Sequence, residues 1–308
     1  MNNGLLLVNK PPGITSFDVV RRVRRWCGTR QVGHCGTLDP AASGLLPVAV
    51  GSTTRLVEYL MDGDKEYVAT LHLGVVTDTQ DGEGAVVEQQ VVGDISRAAV
   101  ESAAAAFRGT IQQIPPMYSA LKRAGVPLYK LAREGVDVER APRTIRIDLL
   151  EILEITPPFV RLRVVCSKGT YIRTLCHDLG RQLGCGGHMA ALCRTRCGSF
   201  EITASQTLAE LESLAAQGQV LPMLSPADAL PELPAIRIRE AARQRLANGI
   251  APGLSEVAVE SVPATGGLVR LLYENRLAAI ARYVQNGDDA RSGGFVLDKV
   301  FPETLRLA

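Results

Sequence analysis

The sequence lacks any apolar run approaching the roughly 18 residues that a membrane-spanning helix needs. Its first ten residues carry no basic stretch, and their apolar run is too short for a secretory signal. The seven cysteines are an odd number, which without such a signal favours reduced thiols over a disulfide framework. These absences predict a soluble, cytoplasmic protein that has no membrane partner.

Lysine is also scarce, because only 6 of the 34 basic residues are lysines and 28 are arginines. The planar arginine fork grips phosphate and stacks on bases, although a codon bias would produce the same excess. The net charge is only +2, yet basic residues gather in 21–30 and 161–196, with an acidic stretch over 78–101. Segregated charge of this kind indicates a polyanion-binding face. For residues 21–25 alone, a solvated helix face remains a fair alternative.

The chain is long enough for two domains, since its 308 residues are 46% hydrophobic and 21% charged, as in soluble globular proteins. Four prolines between Leu221 and Pro234 predict a linker, and so domains at 1–234 and 235–308. Strands and helices alternate irregularly before it, which favours an α+β fold around a mixed, largely antiparallel sheet with flanking helices. The pattern of short strands after the linker predicts a small β-barrel or β-rich module. Strands are predicted over 5–8, 45–50, 67–73, 145–155 and 160–166.

Helices are predicted where apolar residues recur every three or four positions. The first is expected to begin at Ser16 as N-cap, with Phe17, Val20, Val23 and Trp26 on its apolar side and the arginines opposite. Ser52 is expected to cap a second helix. Other predicted helices cover 98–107, 172–183 and 240–246.

A loop rich in small residues, GHCGTLDPAASGLLP over 33–47, is the most informative segment. Pro40 biases Asp39 toward an extended conformation, which would present its carboxylate from the loop. An isolated aspartate in a loop more often bonds its own backbone. A phosphate-binding P-loop is excluded, because no glycine-rich turn ends in Lys-Ser or Lys-Thr.

Two further segments hold residues that are ordinary when taken singly. Tyr67 begins a strand in KEY (65–67), where a half-buried strand residue is the usual outcome. The segment SKGTYIRTL (167–175) joins a strand to a helix and places Arg173 in the first helical turn. Alone, Arg173 would be a surface cation and Tyr171 a core residue.

Together with NKPPGITS (9–16) and LCRT (192–195), these segments resemble the TruB family of bacterial tRNA pseudouridine-55 synthases, in order across residues 5–200. The tail after Pro234 resembles the family's PUA-type RNA-binding module in position and character. The resemblance implies isomerisation of one uridine in the TΨC loop of tRNA to pseudouridine. It also implies that the target base is flipped out of the loop, and that no cofactor or metal takes part.

The resemblance implies three catalytic residues. Asp39 matches the family's catalytic aspartate, and whether it attacks C1′ or acts on the base stays open. Arg173 matches the active-site arginine that pairs with it, and an adjacent cation is expected to lower the pKa of Asp39. Tyr67 matches the tyrosine that stacks on the flipped uracil.

The resemblance also implies residues that bind the substrate or support the site. His34 matches a histidine that holds the target loop open, and Tyr171 and Leu192 match positions lining the uracil pocket. Lys10 belongs to a loop beneath the active site and is expected to be structural. The two arginine-rich segments, with Arg194 and Arg196, are expected to meet tRNA phosphates.

Several alternatives remain at this point. A guide-RNA-dependent synthase of the Cbf5/dyskerin type shares the Thr-Leu-Asp-Pro core, but the Gly-Leu-Leu-Pro continuation (44–47) favours the bacterial type, which acts without guide RNA and as a monomer. A non-catalytic RNA-binding or tRNA-folding protein could use the same fold. A zinc site is disfavoured, because its spacing is not one of the usual structural patterns; its candidate ligands are Cys185, His188, Cys193 and Cys197.

Overall fold

The computed structural model describes residues 3–258, 265–285 and 293–306. Its helices are α1 (Ser16–Cys27), α2 (Val57–Leu60), α3 (Arg97–Ala105), α4 (Leu128–Arg133), α5 (Ile172–Gln182), α6 (Leu208–Ala216), α7 (Glu240–Ala247) and α8 (Pro302–Leu305). Its strands up to residue 127 are β1 (Gly4–Lys10), β2 (Val32–His34), β3 (Ser43–Val50), β4 (Lys65–Leu73), β5 (Val75–Thr77), β6 (Val86–Gln89), β7 (Gly109–Gln113), β8 (Lys122–Arg123) and β9 (Val126–Pro127). The later strands are β10 (Arg143–Thr156), β11 (Phe159–Cys166), β12 (Gly187–Cys197), β13 (Phe200–Glu201), β14 (Gln206–Thr207), β15 (Met223–Leu224), β16 (Ala235–Ile238), β17 (Val257–Ala258), β18 (Leu268–Tyr273), β19 (Arg276–Gln285) and β20 (Gly293–Val300).

The first part of the chain forms one large mixed sheet in the order β14-β1-β3-β12-β4-β11-β10-β7. The pairs β1–β14 and β3–β12 are parallel, and the other neighbours along this order are antiparallel. The predicted α+β class with a largely antiparallel sheet is therefore confirmed. In its middle, β3 lies beside β12 and β12 beside β4, so three segments distant in sequence become neighbours.

Helices cover this sheet through short apolar stripes. Helix α5 buries Ile172, Leu175 and Leu179, the predicted spacing for one helical face. Helix α5 packs against β12 and β4 of the sheet. No helix in the described ranges is long and apolar enough to cross a membrane.

A second, five-stranded sheet follows, in the order β17-β16-β18-β19-β20, with α7 and α8 packed on it. This confirms a β-rich C-terminal domain. The domain boundary at residue 234 stays a prediction, and it falls between the end of β15 at Leu224 and the start of β16 at Ala235. The two sheets share an apolar cluster in which Leu45 and Leu56 join Ile280 of β19.

Two predicted helix starts are wrong. Thr15, rather than Ser16, caps α1, because its hydroxyl accepts a hydrogen bond from the Asp18 amide at 3.0 Å while Ser16 turns inward. Phe17 is 54% exposed instead of lying on the apolar face, since Val19, Val20 and Val23 already fill that face. Ser52 caps nothing, as a 3-10 helix over Gly51–Leu56 precedes α2.

Candidate active site

The loop that carries Asp39 connects β2 to β3 and is anchored on both sides of that residue. The Ser16 hydroxyl donates to the Leu38 carbonyl at 3.0 Å and accepts from the Leu38 amide at 2.9 Å. The amide of Gly13 donates to the Pro40 carbonyl at 2.8 Å. Because the residues before and after Asp39 are both held, the loop fixes the position of its carboxylate.

Lys10, at the end of β1, is completely buried and reinforces the same loop. Its ammonium donates to the carbonyls of Pro11 and Ile14 at 2.9 Å each and to that of Pro40 at 3.2 Å. Burial lowers the pKa of Lys10 to about 8, although the nearby Asp39 carboxylate raises it. Three carbonyl acceptors use all three protons of a charged lysine, which supports the predicted structural role.

A pH-dependent stability follows from this buried lysine. Between pH 8 and the ordinary lysine pKa of 10.5, the unfolded chain binds more protons at Lys10 than the folded chain does. The free energy of unfolding therefore rises with pH in this window. We expect the wild type to gain up to about 3 kcal/mol relative to Lys10→Met across it. Urea unfolding of both proteins at the two ends of the window measures this gain, and parallel pH curves would contradict it.

Arg173, at the start of α5, is 5% exposed and holds Asp39 directly. Its Nε lies 2.9 Å from Asp39 Oδ2. Its Nη1 donates to the Thr79 carbonyl at 3.2 Å, and its Nη2 donates to the Tyr118 carbonyl at 2.8 Å. The guanidinium is thus clamped from several directions. Asp39 Oδ1 has no hydrogen-bond partner among the described residues, and the Asp39 side chain remains 38% exposed.

Asp81 is a second carboxylate that contacts Arg173. In the sequence it was notable only as part of the acidic stretch over 78–101. Its Oδ2 lies 3.3 Å from Arg173 Nη1, and its side chain is 7% exposed. Its Oδ1 accepts from the Thr79 hydroxyl at 2.5 Å and from the Glu83 amide at 3.1 Å. Arg173 is therefore shared between two carboxylates, of which Asp81 has its oxygens bonded to protein groups.

The pKa of Asp39 moves in the direction opposite to that expected. Burial raises the pKa of the Asp39 carboxyl above its ordinary value of 3.8, and Asp81 adds to the rise. Arg173 and Lys10 oppose it without reversing it. The expectation of a lowered pKa is wrong because it counted the cation beside Asp39 and ignored the loss of water around the carboxylate.

Tyr67 lies on β4, where its strand pairs with Val164 of β11 on one side and Arg194 of β12 on the other. Burial raises the pKa of the Tyr67 phenol to about 12, with Arg194 opposing, so the phenol is neutral near pH 7. Tyr67 makes no hydrogen bond to Asp39 in the described chain. Arg194, the residue opposite Tyr67 on β12, reaches the Asp39 loop with its guanidinium.

Arg194 is 1% exposed and bonds the backbone on both sides of Asp39, at Gly36 in the loop and at Leu45 in β3. Its Nε donates to the Leu45 carbonyl at 2.7 Å and its Nη2 to the Gly36 carbonyl at 3.1 Å. The expectation that Arg194 meets phosphate is therefore wrong, because its donors are used inside the protein. Arg196 is half-buried and donates to the Gly198 carbonyl at 3.0 Å, so its predicted phosphate contact stays a prediction.

Arg194→Met tests this internal role. We expect a lower melting temperature and slower catalysis, since two carbonyls lose partners at a cost of about 1–3 kcal/mol each. The salt dependence of polyanion binding should not change. Arg30→Ala, which removes an exposed arginine, is the matched control and should lower the salt slope by about one if that side chain meets a phosphate. A lowered salt slope in Arg194→Met would contradict the internal role.

The wider basic segment is also less available to RNA than its composition indicates. Arg173 and Arg194 are buried, and most of the exposed cations in this segment pair with acids. Arg163 lies 3.0 Å from Glu66, and Lys168 contacts Asp62. The predicted polyanion-binding face over 161–196 stays a prediction, since several of its cations are exposed but share their charge with neighbouring acids.

The predicted substrate-binding residues lie on different elements: His34 on β2, Leu192 on β12 and Tyr171 just before α5. His34 ends β2, and its Nδ1 is buried without a partner among the described residues, while burial lowers its pKa. Leu192 of β12 is buried, and its carbonyl accepts from the Ser43 hydroxyl at 3.2 Å. Tyr171 precedes α5, and the Gln113 side chain bonds its backbone twice. Gln113 Oε1 accepts from the Tyr171 N–H at 2.8 Å, and Gln113 Nε2 donates to the Tyr171 carbonyl at 3.0 Å. Their roles toward a base stay predictions.

The alternative zinc set has no supporting geometry. Within the described ranges, histidine, cysteine, aspartate and glutamate form no group of three or more that could hold a metal ion. His188 instead uses its Nδ1 in a 2.8 Å hydrogen bond with the Val75 carbonyl oxygen.

Comparison with known proteins covers nearly the whole chain. Residues 24–172 match a family model described as TruB family pseudouridylate synthase (N terminal domain), and residues 173–230 match one described as tRNA pseudouridylate synthase B C-terminal domain. A tRNA pseudouridine synthase B of Syntrophotalea carbinolica is 45% identical over 97% of this chain and 98% of its own length. The protein of the same name from Dehalococcoides mccartyi is 43% identical over 92% and 94%.

Solved structures give a related likeness at lower identity. A chain in the crystal structure of a Cbf5-Nop10-Gar1 complex aligns with a TM-score of 0.75 and 28% identity, covering 98% of this chain and 86% of that one. A chain in an H/ACA RNP bound to a substrate RNA containing 2′-deoxyuridine aligns with a TM-score of 0.74 and 27% identity, covering 97% and 84%. The identity is therefore higher to the curated proteins named above than to these chains.

Proposed function

This chain belongs to the TruB family of pseudouridylate synthases and isomerises uridine to pseudouridine in tRNA, and we propose that Asp39, Arg173 and Tyr67 carry out that reaction on uridine 55 of the TΨC loop. The observation that carries the proposal is the 2.9 Å pair between Arg173 Nε and Asp39 Oδ2 in a loop anchored on both sides. One carboxylate oxygen is fixed by this pair, and the other is left for the substrate.

The isomerisation needs few groups. The N1–C1′ bond breaks, uracil turns, C5 bonds to C1′, C5 loses a proton and N1 gains one, so no electrons or water are consumed. Positive charge that develops at the sugar is stabilised by an oriented carboxylate in a partly dry site. Attack at C1′ and action on the base both use the free Oδ1 of Asp39, while Arg173 prevents the carboxylate from rotating.

The target uridine must first leave the loop, at a cost of a few kcal/mol of unstacking. In the proposal, the neutral Tyr67 ring stacks on the extruded uracil, Leu192 and Tyr171 line its pocket, and His34 helps hold the loop open. Apolar and aromatic surfaces of this kind are the usual receptors of unstacked bases in RNA recognition. The C-terminal β-rich domain acts in the proposal as a PUA-like RNA-binding module.

A guide-RNA-dependent enzyme is the second candidate, favoured by the likeness to the Cbf5-containing complex. The higher identity to proteins named tRNA pseudouridine synthase B favours the first. The proposal therefore includes action as a cytoplasmic monomer without guide RNA or protein partner.

The test is incubation of the purified full-length chain with an unmodified tRNA transcript, followed by chemical mapping of pseudouridine. We expect product at position 55 with nothing added, and none in a transcript that carries cytidine there. Product only after a guide RNA and partner proteins are supplied would establish the second candidate. Tight binding without product under either condition would establish a non-catalytic RNA-binding protein.

A further inference from the structure

An exposed aromatic side chain stands on α1 between two arginines. Phe17 is 54% exposed, and the guanidinium carbons of Arg21 and Arg24 lie 5.9 and 5.6 Å from its ring centroid. These three residues are spaced i, i+4 and i+7, so they share one flank of the helix. The flank is separate from the buried stripe that packs on the sheet.

This flank is attached to the active-site loop at two points. Ser16, the residue before Phe17, holds both the amide and the carbonyl of Leu38, which precedes Asp39. Arg24 donates through Nη2 to the Val32 carbonyl at 3.3 Å, two residues before His34. The aromatic flank is therefore fixed to the segment that leads from β2 into Asp39.

We propose that Phe17, with Arg21 and Arg24 beside it, is a stacking platform for an unpaired nucleotide of the tRNA loop next to the reacting uridine. The inference rests on the proposed function, because extrusion of a uridine leaves its neighbours unstacked. Aromatic rings and guanidinium planes are the surfaces on which such bases stack.

Charge supports an RNA occupant for this flank. Residues 21–25 contain four arginines, and α1 has a single acid, Asp18, which pairs with Arg21. An exposed ring among guanidiniums offers a π face to a base and positive charge to its phosphate in one place. An apolar protein partner would meet arginines where it needs uncharged surface.

The expected effect is a loss of affinity without a loss of chemistry. Stacking on one aromatic is worth about 1–3 kcal/mol, which corresponds to a rise of about 5- to 150-fold in Kd and KM for Phe17→Ala. The value of kcat at saturating tRNA should stay within about threefold. Phe17→Leu keeps an apolar side chain but not the ring face, and should lose as much as alanine. Phe17→Trp should restore binding.

The direct measurement uses tRNA with 2-aminopurine placed, one position at a time, at the unpaired nucleotides of the TΨC loop. In the wild type, we expect fluorescence at one position to be quenched by stacking when the protein binds. Phe17→Ala and Phe17→Leu should remove this quenching, and Phe17→Trp should retain it. Val220→Ala, which removes a 79% exposed side chain from the segment between α6 and β15, is the control and should change neither quenching nor affinity.

The possible results separate this inference from the proposed function. Wild-type quenching and affinity in Phe17→Ala, with pseudouridine still formed, would overturn the platform and leave the proposed function intact. Equal losses in the tryptophan, leucine and alanine variants would also overturn it, because a stacking role predicts rescue by tryptophan. A wild-type chain that makes no pseudouridine would defeat the proposed function, whatever Phe17 does.

Discussion

Asp39→Asn is expected to slow pseudouridine formation by about 10⁴-fold or more, while tRNA affinity changes by less than about threefold. Asparagine keeps the shape of the side chain but removes the charge that would attack C1′ or stabilise positive charge at the sugar. Arg173 retains its other contacts with Thr79, Asp81 and Tyr118, so the site should stay folded. The measurement is the single-turnover rate with saturating enzyme, with Kd determined separately.

Asp62→Asn is the matched control for this variant. Asp62 is 67% exposed and pairs with Lys168 on the surface, so its loss should leave the rate unchanged. A turnover rate within tenfold of wild type in Asp39→Asn would remove Asp39 from the chemistry. A large loss of affinity in that variant would instead assign Asp39 to binding.

The fold was largely predictable because its core strands carry strong local patterns. β4 alternates buried and half-buried residues, and β10 and β11 are rich in β-branched and apolar residues. Local patterns could not show which of several apolar residues would fill the limited space against the sheet. Phe17 has the right residue type for a buried stripe, but Val19, Val20 and Val23 occupy the space against the sheet. Periodicity identifies an apolar residue and does not decide which one the core has room for.

The site was predictable in part for a related reason. The loop around Asp39 and the helix start at Arg173 stood out as continuous motifs, and the structure brings them to 2.9 Å. Asp81 lies in a turn with no distinguishing spacing, and its contact with Arg173 arises only when the turn folds over α5. Arg194 was misread because a buried arginine that bonds carbonyls looks the same in sequence as one that meets phosphate.

Asp81→Asn is expected to lower kcat about 100-fold, because a small displacement of a positioned catalytic group costs about that much. The substitution can keep Oδ1 on the Thr79 hydroxyl and the Glu83 amide, so the turn should survive. It places an amide where Arg173 Nη1 had an anion at 3.3 Å. Arg173 then loses one of the contacts that orient it toward Asp39. Affinity for tRNA should change little, since Asp81 is 7% exposed.

A pH profile distinguishes this positioning role from general damage to the fold. The Asp81 charge raises the pKa of Asp39, so its removal should lower that pKa. The ionised Asp39 would then persist to lower pH, and the acid limb of the kcat profile should move downward relative to wild type. Asp78→Asn, an exposed residue of the same turn that bonds the Ala85 amide, should leave both kcat and the limb in place. An Asp81→Asn enzyme whose kcat falls while its acid limb stays fixed would show that the Asp81 charge does not act on Asp39.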